Sequence, residues 1–423
     1  MKRDWLAPDG PIARKLTGFE LRQQQIEMAD AVANAFETGR HVAIEAGTGV
    51  GKTFAYLLPA IDVVVSKQQR VVISTHTIAL QEQLIDKDIP LLREALGVEF
   101  SAELVKGRQN YLSLRRLKNA SQRQKSIFPY RESLQALQGI ENWAYETDDG
   151  SLSDLPVAPP IDVWEKVRSE HNNCLGRRCP TYDMCFYQQA RRRAERAQIL
   201  VVNHALLMAD LALRAEGVSV LPDYDRLVID EAHTLADVAT EHFGVRVLNS
   251  QAQSLLGALF NSRSGKGLLA TLGDDSQRKA VVDAAGEAAD YFDALRMWQL
   301  DNGRSNGRLT RDCPIENRLS PALRHVATTL TPLKQSLPRL EDQYELGAQI
   351  DRAGALAAAV DTLMSRSLED HVYWIDVEGS RRVALAAAPL DVGPLLKQRL
   401  FAATRGVVLT SATLVASNQN DFS

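Results

Sequence analysis

The chemistry legible in this sequence sits in two places: the run Glu45-Ala46-Gly47-Thr48-Gly49-Val50-Gly51-Lys52-Thr53, and the acidic pair Asp230-Glu231. Gly47, Gly49 and Gly51 let a short loop fold so tightly that its backbone N–H groups point at phosphate oxygens. Ala46 stands where the strict pattern has its first glycine. Lys52 is expected to reach the β and γ phosphates, and the Thr53 hydroxyl to hold Mg²⁺. Asp230 at a strand end suits Mg²⁺ bound through water, and Glu231 beside it can polarise an attacking water. Ala46, Gly47, Thr48, Gly49, Val50, Gly51, Lys52 and Thr53 form the expected nucleotide-binding set, with His233 and Gln25 added to it. Lys52, Asp230 and Glu231 are the expected catalytic residues. Together they describe a device that binds a nucleoside triphosphate with Mg²⁺ and splits it.

Such residues need a rigid frame. His41–Glu45 is a short apolar run that reads as a buried strand, and the next helix opens at Lys52, where its N-terminus favours anions. Leu227-Val228-Ile229 reads as a second buried strand. Arg70–Ser74, Gln198–Asn203 and Gly406-Val407-Val408-Leu409 read as others, the last leading into Thr410-Ser411-Ala412-Thr413-Leu414. Strands that alternate with helices demand a parallel sheet, hence an α/β fold. After Ser74 come Thr75-His76-Thr77 and a helix over Ile78–Ile85. Hydroxyls and N–H groups at such a switch can hold a DNA phosphate through Thr75 and His76. Thr75 or Thr77 would also cap the helix well. Gln25 precedes a helical pattern of Ile26, Ala29, Val32, Ala33 and Phe36. It can read an adenine edge, or it is a surface glutamine.

At 423 residues the chain has room for two to three domains, and 45% hydrophobic content supports real cores. No apolar run is long enough to span a bilayer, and Met1-Lys2-Arg3-Asp4-Trp5 lacks the apolar core of a signal peptide. A cytoplasmic protein is expected. The net charge of −4 gives no global basic field, yet a local groove can still bind nucleic acid. Residues 101–196 hold 16 Lys and Arg against 12 Asp and Glu, which makes them the basic part of an acidic chain. Arg191, Arg192 and Arg193 are candidate DNA contacts there, with Tyr111, Tyr182, Phe186 and Tyr187 as stacking platforms. The alternative is a solvated helix face. In the same segment Cys174, Cys179 and Cys185 follow a C-x4-C-x5-C spacing, which suits a soft metal or an iron–sulfur cluster. Three ordinary buried cysteines are the other reading. Cys313 is far away in sequence and is not expected to join them.

The loop, Thr75-His76-Thr77, Val201-Val202-Asn203-His204, Asp230-Glu231-Ala232-His233 and Thr410-Ser411-Ala412-Thr413-Leu414 follow one another as in a superfamily 2 helicase motor. The combination resembles the DinG/YoaA branch of the XPD-like iron–sulfur helicases. Lys106-Gly107-Arg108-Gln109-Asn110-Tyr111-Leu112 is similar to that family's entry to its cluster domain, and Ala388-Pro389-Leu390-Asp391-Val392 to the segment before its last motif in this half. The resemblance implies an ATP-dependent DNA helicase of the DNA repair or replication type, moving 5′ to 3′, whose partner is single-stranded DNA or forked or R-loop nucleic acid. It implies a RecA-like P-loop motor lobe in three segments, 1–100, 197–240 (the DEAH segment) and 376–423. An iron–sulfur-type insertion at 101–196 and a mostly helical, arch-like insertion at 241–375 separate them. A second RecA-like lobe, which would complete ATP hydrolysis, is not expected within this chain. The chain is therefore read as part of a longer helicase. The alternative is a nucleotide- and single-stranded-DNA-binding module without unwinding activity.

The family's first cluster cysteine falls at Ser113 here. A serine oxygen is a harder ligand and must lose its proton to bind iron. Three outcomes follow: a 4Fe-4S cluster with Ser113 or water as fourth ligand, an incomplete three-iron form, or loss of the cluster.

Overall fold

The computed structural model describes residues 3–128, 130–302, 306–309, 315–379 and 382–414; Cys313 lies outside them. The chain divides into two compact units. The first draws on Met1–Gly107, Ala190–His242 and Asp391–Ser423, and the second on Arg108–Gln189 and Phe243–Leu390.

The first unit is a mixed α/β structure around a six-stranded parallel sheet. Its strands are β1 (Val42–Glu45), β2 (Val71–Thr75), β3 (Ala102–Leu104), β4 (Ile199–Asn203), β5 (Arg226–Asp230) and β9 (Val407–Ser411). Their order is β1-β9-β5-β2-β4-β3. Apolar runs build it because a parallel sheet is covered on both faces. Val71, Val72, Ile73, Val201, Val228 and Val408 are fully buried, and Met28, Phe36, Tyr56, Leu57 and Ile61 pack among them from the helices Gln23–Thr38 and Lys52–Lys67. The register sets the site. Glu45 pairs with Ser411, Asp230 with Thr410, and Thr75 with Asn203, so these residues end their strands along one edge of the sheet. That carboxyl edge is where open α/β sheets take ligands.

The second unit contains the helices Leu114–Gln122, Arg131–Trp143, Asn249–Leu259, Asp275–Asn302, Leu319–Ser336 and Leu340–Ser365. It also has an antiparallel sheet of order β6-β8-β7, made of β6 (Val245–Leu248), β7 (His371–Glu378) and β8 (Arg382–Pro389). Here the structure differs from the expected boundaries. The strands expected to rejoin the motor from residue 376 instead form a separate sheet, β8 pairing with β6 on one side and β7 on the other, and only from Asp391 does the chain return to the first unit. The cause is the run Ala384–Ala387, buried and hydrogen-bonded on both sides, which completes a small sheet of its own. The segments expected as two separate insertions also fall in a single compact unit. Among the described residues no helix is long and apolar enough to cross a membrane.

Candidate nucleotide-binding and hydrolysis site

β1 delivers the chain into the loop, and the helix Lys52–Lys67 receives it. Gly49 and Gly51 adopt φ of +84° and +85°, a left-handed region that β-carbons disfavour. A Cβ at Gly47 or Gly49 would meet no atom within 4 Å, so that side of the loop is open to a ligand. A Cβ at Gly51 would sit 2.2 Å from Gln25 Nε2. Gln25 is buried, and its amide donates to the Gly51 carbonyl at 2.9 Å. That bond braces the loop with one of the two N–H donors of the amide, and the second N–H and the side-chain carbonyl remain for a ligand edge. Arg22 Nη1 donates to the Gly49 carbonyl.

Lys52 Nζ donates to the Ala46 carbonyl at 3.2 Å and lies 3.9 Å from Glu231 Oε1. The loop lysine and the acidic pair, far apart in sequence, therefore meet at one edge of the sheet. Asp230 is buried and accepts from Tyr56 OH at 3.1 Å. Burial, with Glu231 beside it, pushes its carboxyl up to about 6. Burial and the same carboxylate raise the Tyr56 phenol well above its ordinary value. Glu231 adopts φ of +54°, an uncommon conformation for a residue with a side chain. Its amide donates to Asp230 Oδ1 at 3.0 Å and its carbonyl accepts from Thr234 Oγ1 at 3.0 Å, which holds the turn. Ser411 Oγ donates to Glu231 Oε2 at 3.5 Å and lies 2.7 Å from His233 Nδ1. His233 thus faces the Thr-Ser-Ala-Thr segment.

Tyr56 and Ser411 are residues that sequence reasoning missed. Tyr56 lies four positions after Lys52, on the same helix face, a spacing that could have flagged it. Ser411 carried no separate signal, since only the β5–β9 pairing brings it to Glu231.

Thr75 is fully buried, and His76 is its exposed neighbour. Thr77 is the cap, accepting from Leu80 N at 3.3 Å. Arg191 lies 3.8 Å from Glu195, and Arg193 Nε donates to Glu103 at 2.6 Å.

His204 is buried behind this edge, its Nδ1 2.7 Å from Ser74 Oγ. Burial, with His76 nearby, pushes its imidazole down to about 4 from 6.5. The folded chain therefore binds fewer protons at His204 than the unfolded chain between these values, and stability falls as pH drops through that window. The full effect is about 3 kcal/mol. Asp230, raised to about 6, acts with the opposite sign in an overlapping window. The check is thus a difference: urea midpoints of wild type and His204→Gln at pH 7, 5.5 and 4.5. The gap between the two should move in favour of the variant on acidification; a constant gap would count against a neutral, buried His204.

In the second unit Ser113 N-caps the helix Leu114–Gln122, its Oγ accepting from Arg116 N at 3.4 Å. Cys174, Cys179 and Cys185 are half-buried free thiols. Burial pushes the Cys185 thiol up. Among the described residues no group of three or more His, Cys, Asp or Glu is arranged to hold a metal ion. Cys174 and Cys179 both act on the Cys185 thiol, so the three thiols are neighbours, but with a serine hydroxyl engaged as a helix cap in the fourth place they do not make the four-thiolate set of a 4Fe-4S cluster.

Residues 24–138 match the DEAD/DEAH box helicase family. The ATP-dependent DNA helicase YoaA of Escherichia coli is 33% identical over 420 residues, covering 97% of this chain and 62% of that protein. The ATP-dependent helicase DinG of Mycobacterium tuberculosis is 33% identical over 431 residues, again covering 97% of this chain and 62% of that protein. A solved structure described as truncated XPD matches 92% of this chain and 93% of its own at 14% identity, with a TM-score of 0.45. The chain spans less than two thirds of the length of the YoaA and DinG proteins it matches. Its motif order and the two sequence matches show that this chain is similar, over nearly its whole length, to the YoaA and DinG helicases.

Proposed function

We propose that this chain serves an ATP-dependent DNA helicase of the DNA repair type, acting in the cytoplasm and moving 5′ to 3′ on single-stranded DNA. The observation that carries this reading is the meeting of Lys52 with Glu231 at 3.9 Å, with buried Asp230 beside them. Lys52 exchanges its partners, the Ala46 carbonyl and Glu231, for phosphate oxygens when nucleotide enters. Thr53 and Asp230 offer hard oxygens, the donor type that Mg²⁺ prefers. Bound there, Mg²⁺ neutralises charge on the phosphates. Glu231 takes the proton of the attacking water. Ser411 and His233 hold its carboxylate and link it to β9. In this reading the cysteine-bearing and helical segments of the second unit correspond to the cluster-type insertion and the arch of the family, and no step passes through a cluster.

The test, on a chain extended to the length of the YoaA and DinG proteins so that a second RecA-like lobe is present, is ATP turnover with and without single-stranded DNA, together with unwinding of a duplex carrying a 5′ tail. Stimulation by DNA is expected. A chain that binds ATP and DNA but shows no coupling between them would sink the motor reading in favour of a binding module.

Exposed His76 and the arginines Arg191, Arg192 and Arg193 are the proposed DNA contacts. Reversing all three arginine charges should weaken binding of a single-stranded oligonucleotide at least tenfold. It should also flatten the slope of log affinity against log salt by about 2, at roughly 0.7 for each phosphate that is no longer neutralised. Unchanged affinity and slope in a folded variant would make this helix a solvated face whose ion pairs with Glu195 and Glu103 are its whole role.

A further inference from the structure

Ser113 and the three cysteines leave the segment 108–189 without the donor set its relatives imply, yet the segment is well packed. Tyr111, Leu112, Leu137, Ile140, Val163 and Val167 are all buried. A second feature lies at the same place. Arg115 and Arg116 follow Ser113 closely, and Asn173 directly precedes Cys174. Arg115 Nη2 donates to the Asn173 carbonyl at 2.7 Å and to its Oδ1 at 2.6 Å. Arg116 donates to the Arg168 carbonyl at 2.6 Å, and its guanidinium lies 3.3 Å from Glu170 and 3.2 Å from Glu345. Asn173 Nδ2 closes the circuit on Glu345 Oε2 at 2.5 Å. Arg115, Arg116, Glu170, Asn173 and Glu345 are each at most 7% exposed.

We propose that a buried lattice of Arg115, Arg116, Glu170, Asn173 and Glu345 holds this segment together in place of an iron–sulfur cluster. The lattice ties the same two points of the chain, around 113 and around 174, that a cluster ligated by Ser113 and Cys174 would tie. It does so through ion pairs and amide oxygens, although Arg115 Nη1 and Arg116 Nε are buried without a hydrogen-bond partner among the described residues. Each guanidinium finds a carboxylate or an amide oxygen, and Glu345 receives both a charged and a neutral donor, so its charge is compensated. Burial opposes that charge, but Arg116, Asn173 and Lys166 hold the Glu345 carboxyl down to about 2. The consequence is functional: a DNA-handling segment that needs neither iron nor protection from oxidants.

The inference takes only the similarity to these helicases as given, and its readouts do not depend on ATP turnover. The chain is purified from iron-supplemented cells, and its iron content, visible absorbance and melting temperature are measured before and after exposure to a strong iron chelator. Expected are iron far below one atom per chain, no charge-transfer band, and an unchanged melting temperature. A triple variant with Cys174, Cys179 and Cys185 all changed to Ser should melt with wild type. Glu345→Ala should lose several degrees and expose 108–189 to protease. Asn173→Ala, a milder lesion, should show the same pattern more weakly if Glu345→Ala does not fold. Stoichiometric iron, melting that falls on chelation, or collapse of the triple serine variant would each overturn the proposal. So would a full melting temperature in both Glu345→Ala and Asn173→Ala.

Discussion

Lys52→Ala should weaken ATP binding by at least ~100-fold, about 3 kcal/mol, while binding of single-stranded DNA stays within about twofold of wild type. Two effects add. The lysine contributes a charge-assisted contact to phosphate that water cannot replace inside the loop. It is also the cation that stands 3.9 Å from Glu231, so its removal leaves Asp230 and Glu231 facing an anionic ligand with one positive charge fewer. The substitution itself is mild for the fold, because alanine is a good helix former and Lys52 opens its helix at the surface of the loop. Titration with a fluorescent ATP analogue, alongside oligonucleotide binding on the same preparation, reads both quantities. Parallel loss of nucleotide and DNA binding in a folded variant would break the assignment of Lys52 to the phosphates.

Glu231→Gln should lower hydrolysis by about 10²–10⁴-fold and leave ATP binding intact. Glutamine keeps the shape, tolerates the left-handed backbone as glutamate does, and still accepts from Ser411. What it loses is the basic oxygen that takes the proton of water. Nucleotide affinity should stay level or rise slightly, since one negative charge beside the phosphates is gone. Single-turnover hydrolysis measured beside equilibrium binding separates the two effects. Wild-type turnover in this variant would remove Glu231 from proton transfer and turn attention to another base on the same edge.

The motifs, their order and the parallel α/β frame were legible because each is local. A glycine-rich turn, a buried apolar strand and an acidic pair at its end each follow from a few adjacent residues. The strands over 42–45, 71–75, 199–203, 226–230 and 407–411 therefore stand close to where the apolar runs put them. Their ends move by one or two residues because hydrogen bonding to neighbouring strands, not propensity, sets the last pair.

Tertiary structure alone decided which neighbours those residues meet. Ser411 reaches Glu231 because β9 inserts between β1 and β5, a choice made by sheet order and invisible in either motif. Gln25 turns inward to Gly51 and Thr75 is sealed in the interior, since helix packing and strand pairing fix which face each side chain takes. The strands at 371–389 leave the motor because an alanine-rich run finds a better partner in β6, a long-range pairing that no window of sequence reports. The sequence by itself determined the phosphate loop, the acidic pair and the missing fourth thiol at Ser113. The buried lattice of Arg115, Arg116 and Asn173 with Glu345 emerged only from the fold, because its members lie far apart in the chain and ion pairing is specified by position in space rather than by spacing.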